Sequence, residues 1–212
     1  MKKLFVLLLS LLFLCSAASA EYCATAMAVE VNPEHLVNVA VNARITDCSE
    51  DGGTLTLMLI APERYRRDEI ESLQSGDAIF TQGQEVCIDS VTEKYGYIVF
   101  NEGDYEFSEG SVWLYEDTDE SYWIAEYDDH TWIEIAELQI PVTDRLIFLD
   151  GINPSSGEGL ILPAVHSAGE FVSLFRSEAA GGGPGFDVNN VTVVFDAEGR
   201  LAVVSRYYVP WQ

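Results

Sequence analysis

An α+β fold, mainly antiparallel β, is what the 212-residue sequence predicts, on three observations. Short alternating apolar segments recur from Leu36 onward, glycine-bearing turns divide them, and a well-capped helix precedes a hairpin near the C-terminus.

In chain order, "LVNVAVNARI" and "TLTLMLIAP" flank Glu50-Asp51-Gly52-Gly53, the pattern of two antiparallel strands. "PERYRRDEIESL" breaks the alternation, with Pro62 placed to open a short helix and Ile70 and Leu73 spaced to face a core. Ser75-Gly76-Asp77 and Gln82-Gly83-Gln84 bracket a further strand, and others run through Val86 and Ile88 and through "YGYIVFNEG". Short strands, tight turns and one helix are similar, at the level of fold alone, to a small SH3-like or OB-like barrel, here spanning residues 21–140.

A second unit is expected over 141–212, packed on the first because no long polar linker separates them. It holds a strand in "DRLIFLDG", a loop in "INPSSGEG", and a helix in "SAGEFVSLFRSEA" with Ser167 and Glu170 in capping-box spacing. "GGGPGF" reads as a mobile loop, since it lacks the lysine and hydroxyl residue of a phosphate cradle. "VTVVFDAEGRLAVVSRYY" alternates on both sides of Asp196-Ala197-Glu198-Gly199 and predicts a β-hairpin.

Residues 1–20 have Lys2 and Lys3, an apolar run from Leu4 to Cys15, and Ala18-Ser19-Ala20 before Glu21, the pattern of a signal peptide cleaved near Ala20. The expectation is a secreted chain, extracellular or periplasmic, with no membrane insertion. Cleavage takes the formal charge from -24 to -26, because two lysines leave and no acid does. So negative a surface disfavours nucleic acid and anionic lipid and leaves neutral or cationic ligands. Cys23, Cys48 and Cys87 survive cleavage, allowing at most one intramolecular disulfide among them.

No Gly-x-Ser-x-Gly elbow and no histidine pair at metal-ligand spacing occurs, so neither cofactor nor metal is expected. "DTDES" has alternate oxygen side chains, yet Tyr122 stands where a calcium loop turns on glycine, and Asp128 where it closes on glutamate. The richest stretch is "SVWLYEDTDESYWIAEYDDHTW". Folded as a hairpin about Asp117 to Glu120, it sets Tyr115 against Tyr122 and Leu114 against Trp123. A further turn at Asp128 to His130 would bring the next strand alongside. One face then carries Trp113, Tyr115, Tyr122 and Trp132 interleaved with Glu126 and Glu134. Such a face suits a non-catalytic module that binds glycan or a cationic peptide or protein. The alternative is a secreted carboxylate-dependent hydrolase acting on carbohydrate.

Overall fold

The computed structural model describes residues 22–29, 31–104, 107–118, 120–125, 131–153, 156–180, 185–186 and 188–208. Along the chain, β1 (Cys23–Ala24), β2 (Val39–Cys48), β3 (Thr54–Pro62) and β4 (Arg64–Arg66) lead into helix α1 (Arg67–Ser72). There follow β5 (Ala78–Thr81), β6 (Gln84–Cys87), β7 (Val91–Lys94), β8 (Tyr97–Phe100), β9 (Val112–Thr118), β10 (Ser121–Ala125) and β11 (Trp132–Pro141). The order ends with β12 (Ile147–Ile152), β13 (Gly159–Ser167), helix α2 (Ala168–Ala179), β14 (Val191–Phe195) and β15 (Leu201–Arg206). The fold is α+β and mainly antiparallel β, as expected; among the described pairings β1 with β5 and β12 with β15 are parallel.

Two compact units form, and neither follows the single cut expected near Pro141. One takes the described residues up to Met27 and from Arg64 to 125; the other takes those from Ala28 to Glu63 and from 131 onward. The reason is strand pairing at long range. β3 lies beside β11, with Trp132 opposite Pro62, and the Glu63 N–H donates to the Thr131 carbonyl at 2.9 Å. The chain therefore leaves this sheet at Pro62, with β2 and β3 in place, and re-enters it at Trp132; the described residues from Arg64 to 125 are inserted in the host unit and, with β1 from the start of the chain, make up the inserted unit.

The host unit is one sheet in the order β11-β3-β2-β14-β15-β12-β13. Strict alternation buries Val41, Ala43 and Ile45 of β2, Leu55, Leu57 and Leu59 of β3, and Val191, Val193 and Phe195 of β14. These meet Phe171, Val172 and Phe175 of α2 in one core, each large side chain contributing about 1.5–3 kcal/mol relative to exposure. The hairpin turn forms where expected, Asp196 N–H donating to the Arg200 carbonyl at 2.9 Å. The "GGGPGF" segment is not loose where it is described: Phe186 is 2% exposed, against Phe148, Phe171 and Phe175.

The helix cap is also as expected. Ser167 Oγ accepts from Glu170 N–H at 3.4 Å, and the Glu170 carboxylate accepts from Ser167 N–H at 2.8 Å. The bonds its carboxylate accepts, from the Ser167 backbone N–H first and from the Ser167 hydroxyl at 2.7 Å second, hold Glu170 below its ordinary value of 4.5. A depressed acid stabilises fully above its unfolded value, and the contribution disappears as pH falls through the folded value. Unfolding scans from pH 7 to pH 3 should therefore show a shallower acid loss in Glu170→Gln than in the parent.

In the inserted unit the strands form open sheets, not a closed barrel: three strands in the order β1-β5-β6 and five in the order β4-β10-β9-β8-β7. Helix α1 is shorter than its sequence suggested, because Arg66 is extended and β4 pairs with β10. Gln82-Gly83 and Tyr95-Gly96 close two-residue hairpins with all four φ values positive, the geometry that matches strand twist and that glycine adopts freely. A core of Tyr65, Ile70, Leu73, Ile79, Ile88, Phe100, Val112, Leu114, Tyr122 and Ile124 lies between these elements.

All three described cysteines are free thiols. Burial raises the Cys23 thiol above its ordinary value, with Glu85 and Cys87 adding to it. Among the described residues no helix is long and apolar enough to cross a membrane.

Candidate functional site

The β9–β10 hairpin is offset by one residue from the expected register. Tyr122 lies opposite Glu116, Trp123 opposite Tyr115, Ile124 opposite Leu114 and Ala125 opposite Trp113, with an irregularity between Ser121 and Tyr122. A slip of one residue turns every side chain of a strand to the other face. The β9 half of the expectation holds, with Trp113 and Tyr115 on the outer face and Val112 and Leu114 inside, while β10 is inverted. Tyr122 faces the core at 6% exposure, its hydroxyl 3.3 Å from Glu71 Oε1; burial, then Glu71, raises its pKa and keeps the phenol a donor. Trp123 takes its place outside.

Nor does β11 join this sheet. The neighbours of β10 are β9 and β4, while Trp132 and Glu134 stand on β11 in the host unit, where Glu134 pairs with Arg44 at 2.9 Å. Glu126 lies outside the described residues, as does the turn expected at Asp128 to His130. Of the six residues expected in the site, Trp113 and Tyr115 are thus placed together on the outer face, and Tyr122, Trp132 and Glu134 are elsewhere.

What the register does assemble is a single row across all five strands. Lys94 of β7 stands opposite Tyr97 of β8, Tyr115 of β9 opposite Trp123 of β10, and Trp123 opposite Arg64 of β4. Tyr97 and Tyr115 close the row with ring centroids 5.6 Å apart. At a strand spacing of about 4.8 Å the row runs about 19 Å across the sheet. Tyr115 and Trp123 are nearly parallel, 24° between planes and 6.5 Å between centroids. Tyr115 is 47% exposed, and Tyr97 and Trp123 are half-buried.

Trp113 is the row's support and not its surface. Only 1% exposed, it lies under Tyr97 at 5.7 Å and Phe107 at 4.9 Å, and its indole N–H donates to Ser111 Oγ at 3.2 Å. A cation stands at each end. The Arg64 guanidinium is 5.6 Å above the Trp123 ring and pairs with Asp117 at 2.9 Å. The Lys94 ammonium is 5.7 Å from Trp113 and pairs with Glu102. Asp117, the first acid of "DTDES", is thus engaged by arginine.

Beside the Lys94 end opens a cleft of about 650 Å³ that shares Lys94 and Tyr97 with the row and holds two acids, Glu71 and Glu93. Glu71 pairs with Arg67 at 2.7 Å. Among the described residues the carboxyl groups that shift, Asp51, Asp68, Glu102, Glu170 and Asp196, lie below their ordinary values, with hydrogen bonds the leading cause in each.

Sequence reasoning missed Tyr97, Trp123, Lys94 and Arg64. The "YGYIVF" alternation and the tryptophan beside Tyr122 were visible, but the one-residue offset that selects Trp123 was not. No protein-family model, no curated protein and no solved structure matches this chain.

Proposed function

We propose that this chain is an exported, non-catalytic module that binds neutral carbohydrate along the row Lys94–Tyr97–Tyr115–Trp123–Arg64. The observation that carries the reading is the row itself: three adjacent rings on one sheet face, with charged hydrogen-bonding groups at both ends. Aromatic rings give apolar contact to the C–H faces of a sugar at little entropic cost, while guanidinium, ammonium and carboxylate groups meet its hydroxyls. The two cations already beside the rings disfavour a cationic peptide, and the formal charge of -24 disfavours anionic polymers.

A hydrolase would need a carboxylic acid raised in pKa opposite a second acid. Of the two cleft acids, Glu71 is held by Arg67 at 2.7 Å, an arrangement that favours binding over that alternative. Export rests on the signal-like residues 1–20.

Affinity electrophoresis through gels containing hydroxyethylcellulose, xylan or soluble β-glucan tests the proposal. Retardation on at least one neutral polysaccharide, little changed between 50 mM and 500 mM salt, is expected. Binding found only with polylysine and abolished by salt would support the cationic-partner reading instead, and release of reducing ends would support the hydrolase.

A further inference from the structure

On the outer face of the three-stranded sheet, Cys23 of β1 and Cys87 of β6 flank the same residue. Ala78 of β5 is the register partner of both, so all three side chains share one row and one side. Ala24, the next residue of β1, belongs to the core cluster and Val86 packs against it, which fixes the opposite direction for Cys23 and Cys87. Ala78 has no exposed surface, although Phe80, on the same face two residues on, is 42% exposed.

Two strand spacings separate the α-carbons of Cys23 and Cys87 by about 9.5 Å. A disulfide tolerates no more than about 7 Å. Replacing its bond of about 2.05 Å by two metal–thiolate bonds of about 2.3 Å adds about 2.5 Å of reach, which matches the span that two strand spacings set. A tetrahedral zinc cage would need four ligands, and no group of three or more His, Cys, Asp or Glu is placed to hold a metal among the described residues.

We infer that Cys23 and Cys87 form a two-coordinate site for a soft monovalent cation, Cu(I), bridged over Ala78. Soft thiolates select this ion, and the small residue between them leaves it room. On binding, two S–H bonds break, two Cu–S bonds form and two protons leave to solvent, with no change of oxidation state. Glu85, on the same strand face two residues before Cys87, adds negative charge beside the site. The ligands are 64 positions apart in sequence, so no local motif announces them. The site is independent of the carbohydrate reading.

Anaerobic titration of the chain lacking residues 1–20 with Cu(I), in competition with bicinchoninate, decides the matter. The parent and Cys48→Ser should each withdraw one equivalent of Cu(I), while Cys23→Ser and Cys87→Ser, checked as folded by circular dichroism, should bind at least a hundredfold more weakly. Equal affinity in the Cys23→Ser or Cys87→Ser variant, or loss confined to Cys48→Ser, overturns the assignment. So does a Cys23–Cys87 disulfide found by mass mapping of the folded, mildly oxidised protein, because the register holds these sulfurs too far apart for one.

Discussion

Replacing Arg206 with methionine should lower the unfolding free energy by about 3–5 kcal/mol, the cost of leaving a buried charge without its partner. Arg206 has no exposed side-chain surface and binds Asp150 at 2.8 Å and Glu178 at 2.6 Å, whose side chains are 0% and 6% exposed. Its guanidinium also lies 4.2 Å from the Phe186 ring and donates to the Gly185 carbonyl at 3.3 Å. One side chain thus ties β15 to β12, to the last turn of α2 and to the loop after it. Burial opposes the charge on Arg206, but the bonds to Asp150 and Glu178 outweigh it and raise its pKa. In Arg206→Met two carboxylates lose their counter-ion in an apolar setting. A denaturant series measures the loss, and removing Asp150 and Glu178 as well, by apolar residues of similar volume, should recover most of it, since apolar replacements of buried ion triads are often neutral or stabilising.

The Tyr115→Ala, Trp123→Ala double variant should bind neutral polysaccharide about a hundredfold or more weakly while unfolding at nearly the parent's denaturant midpoint. Each contacting ring contributes on the order of 1–2 kcal/mol, and every 1.4 kcal/mol is tenfold in affinity. Both rings are on the outer face of the inserted unit, and Tyr115 is 47% exposed. Trp113→Ala is the contrasting control. It empties a fully buried position, so a loss of about 3–5 kcal/mol in stability is expected, with Tyr97 and Phe107 left unsupported. If the double variant unfolds as readily as Trp113→Ala, the row is core and the site assignment fails.

Features set by local chemistry were legible in the sequence. The Ser167–Glu170 cap and the turn at Asp196 to Gly199 depend on residues a few positions apart, and both form as read. β9 was legible because Val112 and Leu114 are the aliphatic phase of the strand, whereas Trp113 and Tyr115, each with a polar handle, make up the other. The face of β10 was not, because "SYWIA" is apolar in either phase and the irregularity at Ser121 and Tyr122 decides which ring is buried. β13 went unread because Pro163 and the run "LILPAV" carry no clean alternation, and its pairing with β12 is irregular between Asp150 and Ile152. The unit division was hidden for a different reason: the pairing of Trp132 with Pro62 spans the whole segment that begins at Arg64, and nothing in either strand names its partner.

The most direct test of the central claim is an NMR titration of the ¹⁵N-labelled chain with a neutral oligosaccharide cut from the polysaccharide that retards it. The Trp123 indole N–H and the backbone amides of Tyr97 and Tyr115 should shift in a saturable way, with the Trp132 indole unmoved. Saturable shifts confined to Glu71 and Glu93 in the cleft, or to β11 of the host sheet, would contradict the account.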